Sequence, residues 1–166
     1  DIAVGMDALR ATALEGADAV LQTIGITSPR DLVFGTTLFS KSTHILIEVM
    51  EAAGPKRLIA VTGLGAGNSR GRAGAVYDYL VFPLLLQRIY ADKDRQEAIV
   101  RASGLDWTLI RPAFLKNDAG RGTWREITDW QGEPKMTAIA RADVASFIVQ
   151  ELAAHRYGRQ AVNLSW

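Results

Sequence analysis

Lys93 stands where a charged side chain is unexpected. On a helix it would share one stripe with mostly apolar neighbours, namely Leu86, Ile89, Tyr90, Glu97 and Val100. A lysine at this place suggests a bound ribose, a carboxylate partner or a catalytic role. The structural alternative is that its stem lies on apolar surface, while Glu97 pairs with the ammonium group one turn later. The spacing by itself leaves both interpretations open.

A glycine-rich turn, Gly63-x-Gly65-x-Gly67, follows an apolar segment and suggests a dinucleotide-phosphate loop. Such a loop needs a glycine at its sixth position and a helix directly after it, whose first amides face the pyrophosphate. Here the sixth position is Asn68, and residues 69–74 continue as loop. We therefore favour a flexible loop that borders a site, with Arg70 and Arg72 as candidates to contact an anionic substrate.

Other candidate groups have simpler explanations. Arg111-Pro112 ends an apolar segment, where proline turns the chain outward and a site role stays open. Arg141 and Asp143 indicate a helix cap with a local ion pair rather than a catalytic pair. His44 and His155 lack a second histidine or carboxylate at ligand spacing, so we assign no metal.

The composition is that of an ordinary globular protein. The chain has 166 residues, 48% of them hydrophobic and 22% charged, which suits one domain with a core. A net charge of +1 gives no electrostatic basis for binding nucleic acid or an anionic membrane. The absence of cysteine excludes disulfides, thiolate metal sites and a cysteine nucleophile, and fits a cytoplasmic protein. The longest apolar run, residues 79–86, is far shorter than the roughly 20 residues that cross a bilayer.

Apolar periodicity predicts alternating helices and strands along the whole chain. The expected helices cover residues 6–14, 36–53, a long segment that ends at 103–104, and 141–153. The expected strands cover residues 17–25, 56–62, 107–110, 123–127 and 160–164, with a loop through 28–30. This alternation indicates an α/β fold with a mainly parallel sheet.

A βαβ unit forms the centre of this pattern, because two apolar strands, residues 56–62 and 107–110, flank one crossover helix. In such sheets ligands bind beyond the carboxyl ends of the strands. Thr62-Gly63 closes the first strand, and Pro112-Ala113-Phe114 follows the second. We expect these two segments to lie side by side in the site.

Four stretches together resemble one protein family. They are residues 56–62 (KRLIAVT), Ala91-Asp92-Lys93-x-x-x-Glu97, residues 103–112 (SGLDWTLIRP) and residues 141–145 (RADVA). They are similar to the atypical short-chain dehydrogenases with an NAD(P)H-binding Rossmann fold, in particular the NmrA-like proteins and the flavin reductase/biliverdin reductase B group. The resemblance covers essentially the whole chain and implies a nicotinamide cofactor, with NADP favoured over NAD.

The resemblance also implies cofactor-binding positions. Asp1 and Ile2 correspond to the end of the third strand, against the adenine, and Thr23, Ile24 and Gly25 to the end of the fourth, along the adenosine and ribose. At the nicotinamide end, Lys93 would hold the ribose and Thr62 would serve beside it as a second catalytic group. The other residues that would contact the nicotinamide are Gly63, Pro112, Ala113 and Phe114.

Two positions depart from the family pattern. The catalytic tyrosine of the wider superfamily stands four residues before the lysine, where this chain has Ile89, and Tyr90 lies one place later on a different azimuth. Gly63 stands where a serine or threonine would polarise a carbonyl. These departures argue against tyrosine-based carbonyl reduction. They favour hydride transfer to a small planar acceptor such as a flavin or quinone, because the cofactor carries that chemistry; the alternative is a non-catalytic NAD(P)-sensing regulator.

The largest departure is the absence of the family's opening strand, its G-x-x-G-x-x-G turn and the following strands. The chain starts at Asp1 without an initiator methionine, so we expect a fragment or processed product, and inactivity of this piece alone is a further alternative. We predict a single partial domain, residues 1–166: a Rossmann-like, doubly wound sheet without its N-terminal βαβαβ portion. This chain alone should bind NADPH weakly or not at all. Its bared strand, residues 17–24, would invite homo-oligomerisation or another association.

Overall fold

A parallel sheet is the centre of the computed structural model, which describes residues 14, 16–26, 28–72, 77–129 and 135–166. In chain order the strands are β1 (Ala19–Gln22), β2 (Arg57–Val61), β3 (Asp106–Pro112), β4 (Phe114–Lys116), β5 (Arg125–Ile127), β6 (Ala138–Ala140) and β7 (Gln160–Ser165). The α-helices are α1 (Pro29–Phe34), α2 (Leu38–Ala53), α3 (Gln87–Ala102) and α4 (Arg141–Ala154), and a π-helical segment (Tyr77–Leu86) leads into α3. The helix predicted over residues 6–14 lies outside the described residues, apart from its last residue.

The main sheet has the strand order β1-β2-β3-β7-β5. Strands β1, β2, β3 and β7 are parallel to their neighbours, and β5 adds an antiparallel edge on β7. Strands β4 and β6 form a separate parallel pair. This arrangement confirms the predicted α/β, Rossmann-like fold with a mainly parallel sheet.

Helices cover both faces of the sheet. One apolar cluster joins α2 and α3 to Leu58, Ala60 and Leu109, and a second joins α4 to Ile59 and Ile110. Successive strand residues point to opposite faces, so Ile59 contributes to a different cluster from Leu58 and Ala60. A strand that is buried on both faces is mostly apolar, which explains residues 58–61 of β2. Strand β3 also buries Thr108 and Arg111, whose side chains have hydrogen-bond partners.

The loop predicted through residues 28–30 instead begins helix α1. Ser28 is the N-cap, and its hydroxyl oxygen accepts a hydrogen bond from the Arg30 amide at 3.3 Å. Pro29 lies in the first turn, where backbone amides have no hydrogen-bond partner within the helix, so the amide hydrogen that proline lacks is not missed. Serine and proline mark a loop in a sequence, but they are equally the residues that start a helix.

The predicted cap and ion pair at the start of α4 are wrong. The N-cap residue is Ala140, and Asp143 makes no capping hydrogen bond. The buried Asp143 carboxylate instead accepts hydrogen bonds from the amides of Arg121 and Gly122 and, at 2.7 Å, from the Trp166 indole. Asp143 therefore ties the loop before β5 to the end of β7.

The outer side of β1 has no strand partner within the described residues. The predicted open edge stays a prediction, because residues 1–13 lie outside the described part of the chain. Over the same residues, none of the helices is long and apolar enough to cross a membrane.

Candidate functional site

A cavity of about 320 Å³ opens at the carboxyl ends of β2 and β3. Parallel pairing brings these ends together, because the Thr62 amide donates to the Ile110 carbonyl at 2.8 Å and the Leu64 amide donates to the Pro112 carbonyl at 2.9 Å. This central cavity is lined by Gly25, Ile26, Phe39, Thr62, Gly63, Leu64, Leu86, Ile89, Tyr90, Lys93, Pro112, Ala113, Phe114 and Leu115. The structure thus places most of the predicted site residues around one space.

The predicted adenosine end lies elsewhere. Thr23 and Ile24 line a second space of about 470 Å³, which we call the edge groove, between the open edge of β1 and helix α2. Its other lining residues are Leu14, Val20, Leu21, Gln22, Ser42, Ile45, Leu46 and Val49. Asp1 and Ile2 fall outside the described residues, so their predicted roles stay predictions.

Lys93 points into the central cavity from α3. Its ammonium nitrogen donates to the Thr62 carbonyl oxygen at 2.7 Å and lies 4.2 Å from the centre of the Phe39 ring. Burial lowers the pKa of Lys93 to about 8, against the opposing effect of the negative charges of Glu97 and Asp92. At neutral pH Lys93 is therefore a partly desolvated cation at the wall of an apolar space.

Glu97 does not form the predicted ion pair with Lys93, because its carboxylate is bound to other groups. The Thr62 hydroxyl donates to Glu97 Oε1 at 2.9 Å, and the Arg111 guanidinium donates to both carboxylate oxygens, at 2.8 and 2.5 Å. Arg111 also donates to the Asn68 side-chain oxygen at 2.5 Å. Glu97 and Arg111 are only 3% and 1% exposed. We call Thr62, Glu97 and Arg111 the buried network, which the exposed Asn68 joins from the glycine-rich turn.

Two amides of the glycine-rich turn already have side-chain partners. Gly65 donates to the Ser69 hydroxyl oxygen at 2.9 Å, and Gly67 donates to Asp94 Oδ1 at 2.8 Å. The second Asp94 oxygen accepts from Arg70 at 2.7 Å. Amides that already have partners cannot cradle a pyrophosphate. This geometry agrees with our preference for a bordering loop, although Arg70 faces a carboxylate and not the central cavity.

Close packing explains the glycines of this turn. A Cβ atom on Gly63 would lie 3.0 Å from the Tyr90 hydroxyl oxygen, and one on Gly65 would lie 2.9 Å from the Phe82 ring. A Cβ atom on Gly67 would overlap the Arg111 guanidinium group. Gly65 and Gly67 also have φ angles of 111° and 54°, which favour glycine. The pattern that resembles a phosphate loop is here a packing requirement.

Tyr90 is a cavity residue that the sequence did not assign. It lies beside Gly63 and packs on Phe82 with ring centres 5.0 Å apart. Ile89, at the superfamily's tyrosine position, is 3% exposed and also lines the cavity. The sequence signal for Tyr90 was its position on the same helical stripe as Lys93, and the missing side chains of Gly63 and Gly65 leave room for its ring.

The two histidines each meet one carboxylate, contrary to the expectation from spacing. His44 lies 3.3 Å from Glu48, and His155 lies 2.8 Å from Asp106. In the described part of the chain, these contacts do not extend to any group of three or more histidine, aspartate and glutamate side chains that could hold a metal ion.

The central cavity suits the ribose and nicotinamide of a dinucleotide. Ribose hydroxyls can accept hydrogen bonds from the Lys93 ammonium group, and the apolar walls at Ala113, Phe114 and Leu115 suit a flat ring. A pyrophosphate would need free backbone amides, and the turn after β2 does not offer them at Gly65 and Gly67. The fit therefore extends to the nicotinamide half of the cofactor.

Comparison with known proteins agrees with this architecture. A protein of Bacillus subtilis named "Uncharacterized sugar epimerase YhfK" is 32% identical over 162 residues. The match covers 93% of this chain and 66% of that protein, so this chain spans less than two thirds of the relative's length.

Solved structures share the fold. An anaerobilin reductase from Escherichia coli O157:H7 is similar with a TM-score of 0.72 and 27% identity, covering 99% of this chain and 70% of that one. A short-chain dehydrogenase/reductase from Veillonella parvula, solved with NADP, has a TM-score of 0.71 at 16% identity, covering 97% of this chain and 66% of that one. A family model described as NAD(P)H-binding matches residues 6–155. The chain belongs to this NAD(P)H-binding family of Rossmann-like proteins.

Proposed function

We propose that this chain forms the nicotinamide side of an NAD(P)H-dependent oxidoreductase that passes hydride to a small planar acceptor, such as a flavin, a quinone or a bilin. The observation that carries the proposal is the central cavity, where Lys93 and Thr62 meet the apolar segment Pro112-Ala113-Phe114. The similarity to an anaerobilin reductase supports a flat, conjugated acceptor. NADP is the favoured cofactor, on the basis of the family resemblance.

Each residue has a physical task in this scheme. The ammonium group of Lys93 binds the ribose next to the nicotinamide, and the Thr62 carbonyl fixes its direction at 2.7 Å. Phe114 and Leu115, 45% and 40% exposed, offer apolar surface on which a planar acceptor can stack. A reduced nicotinamide, when bound, supplies the hydride, so the protein's contribution is positioning and the exclusion of water.

A second candidate is the NAD(P)-sensing regulator. The observation that favours it is Ile89, which puts a buried apolar side chain at the position of the superfamily's catalytic tyrosine. A sensor would bind the cofactor in the same cavity without turning it over. The two candidates therefore predict equal binding and different turnover.

Oxidation of NADPH with quinone, flavin and bilin acceptors separates the candidates. It is measured for this chain and for the full-length gene product that contains it, each with Lys93→Ala. Lys93→Ala removes the charge-assisted hydrogen bonds to the ribose, which are worth about 1.5–3 kcal/mol. This loss should lower kcat/KM roughly 10- to 100-fold. Lys56→Ala is the matched control, since Lys56 is exposed before the other end of β2.

The outcomes are distinct. Turnover that falls with Lys93→Ala and survives Lys56→Ala supports the oxidoreductase. Binding of NADPH without turnover on any acceptor supports the sensor. A full-length product that neither binds nor oxidises the cofactor contradicts both. For this chain alone we predict weak or absent NADPH binding, and a micromolar dissociation constant by calorimetry would refute that prediction.

A further inference from the structure

Glu97 and Arg111 form an ion pair in an unusual place. Both side chains are almost fully buried beneath the central cavity, and their closest atoms are 2.5 Å apart. A buried ion pair contributes little net stability, because removing two charges from water offsets most of their attraction. Apolar side chains of similar volume would serve a purely structural role equally well. The pair therefore requires another explanation.

The pair is connected to the cavity through a single residue, Thr62. The Thr62 hydroxyl donates to Glu97 at 2.9 Å, while the Thr62 carbonyl accepts from Lys93 at 2.7 Å. The hydroxyl and the carbonyl of Thr62 are thus held by different partners, and its amide is paired with Ile110. A shift of Glu97 would release the hydroxyl and let the carbonyl turn away from the Lys93 ammonium group.

The pair is also connected to the glycine-rich turn. Arg111 donates to Asn68 at 2.5 Å, and its guanidinium group occupies the space next to Gly67. The turn therefore packs on the buried pair, and the Lys93 cation is connected to the same pair through Thr62. One ion pair joins two borders of the cavity.

We propose, as a refinement that rests on the proposed function, that Glu97 and Arg111 are positioning residues that hold the Thr62 carbonyl against Lys93 and the glycine-rich turn against the cavity. Neither residue lines the central cavity, so both act through others. The ligand positioned in this way is the nicotinamide ribose, which Lys93 binds.

The charges around Lys93 make Glu97 its main electrostatic support. Burial lowers the pKa of Lys93 to about 8, and Glu97 opposes this more than Asp92 does. Asp92 is committed to the start of α2, where it accepts from the Phe39 amide and the Ser40 hydroxyl, and to Arg95.

On α3 itself, Arg101 lies 3.7 Å from Glu97. Two other described elements contribute charged side chains. Strand β3 brings the Arg111 cation, and the glycine-rich turn brings Arg70, which is paired with Asp94 on α3. The α2 residue that faces Lys93 is the uncharged Phe39. Loss of the Glu97 charge should therefore leave the Lys93 cation with less support.

A titration of Lys93 tests the proposal without cofactor or turnover. Lysines labelled at Cε are followed by NMR between pH 6 and 11 in the wild type and in Glu97→Gln, and Lys93→Met assigns the signal. The pKa of Lys93 should fall by about one unit in Glu97→Gln, because a nearby opposite charge favours the charged form. The control Glu48→Gln, in an exposed pair with His44, should leave it unchanged.

A second variant covers the case in which Glu97→Gln does not fold. The double variant Glu97→Gln/Arg111→Met also removes the Arg111 cation, which would otherwise be buried without its partner. The pKa of Lys93 should again fall, by about half as much, because the repulsion from Arg111 is also lost. An unchanged pKa in the variant that folds overturns the positioning role, whatever the protein catalyses.

Binding of reduced nicotinamide mononucleotide tests the link to function. This probe lacks the adenosine half, so it needs only the central cavity. Wild-type affinity should decrease above pH 8, and in Glu97→Gln the decrease should begin about one pH unit lower, following the titration of Lys93. A shifted Lys93 titration with no binding in any variant would reject the proposed function and retain the positioning role. Binding with identical pH profiles in both proteins would reject the positioning role.

Discussion

The central cavity and the edge groove lie on the same sheet but differ in the hydrogen bonding of their polar groups. Beneath the central cavity, the side chains of Thr62, Glu97 and Arg111 bind one another at 2.5–2.9 Å. At the edge groove, β1 is paired on one side only within the described residues, and the lining is mostly aliphatic. The polar side chains beneath the central cavity find their partners within this chain, whereas the edge groove exposes a surface typical of an interface.

The difference matches the two halves of a dinucleotide. The predicted nicotinamide contacts line the central cavity, whereas Thr23 and Ile24, predicted to contact the adenosine, line the edge groove. Gly25, which was predicted with them, lines the central cavity. This chain spans 66% of its Bacillus subtilis relative. The proposed nicotinamide contacts and the predicted contacts Thr23 and Ile24 therefore fall in two different regions of the chain. The following substitutions test that contrast.

Gly67→Ala should cause the largest loss of stability. The new Cβ atom would overlap the Arg111 guanidinium group and lie 3.0 Å from Glu97 Oε2, and the φ angle of 54° already disfavours alanine. We expect the free energy of unfolding to fall by about 3 kcal/mol in urea denaturation, the range seen when a buried charged network is disrupted.

Gly71→Ala is the matched control for that substitution. Its φ angle is 80°, and no atom lies within 4 Å of its Cβ position, so only backbone strain of about 1–2 kcal/mol should result. Equal losses for Gly67→Ala and Gly71→Ala would mean that the buried network contributes nothing beyond ordinary backbone strain.

Gly63→Ala should have an intermediate effect, because its Cβ atom would meet the Tyr90 hydroxyl at 3.0 Å and that hydroxyl is the far end of a side chain. We expect a loss of about 1 kcal/mol in the free energy of unfolding. Tyr90→Phe removes the obstructing oxygen, so the double variant should lose less than the sum of the two single variants. A coupling energy below about 0.3 kcal/mol would show that Tyr90 and Gly63 do not restrict each other.

Much of the fold followed from apolar periodicity. Strands β2, β3 and β7 and helices α2 and α4 lie where the pattern predicted them, because buried elements need a continuous or periodic apolar sequence. Helix α1 and strand β4 were not expected. Each is short, and α1 begins with the serine and proline that also mark loops.

The residues that meet at the central cavity were predicted to lie together, but their contacts were not. The rule that ligands bind at carboxyl strand ends, together with the family resemblance, brought Thr62, Gly63 and Lys93 to one place. The buried network was not foreseen, because Glu97 on α3 and Arg111 on β3 meet only after the crossover folds back. A pattern of neighbouring residues contains no information about such a contact, and it offered only a pair between Glu97 and Lys93 as one of two interpretations.

Leu21→Lys should have the smallest effect on stability and test the open edge directly. Leu21 is 45% exposed on β1 and lines the edge groove, so a lysine there loses little buried apolar area and the free energy of unfolding should change by less than about 0.5 kcal/mol. A charge on an edge strand opposes pairing with another strand.

If the bared edge drives self-association, sedimentation velocity should show less dimer or aggregate for Leu21→Lys than for the wild type at equal concentration. Leu152→Lys, at a leucine 39% exposed on α4, should leave the distribution unchanged. Equal reductions in both variants would point to a general effect on solubility instead of the edge. No reduction in either variant would mean that the edge of β1 does not drive association.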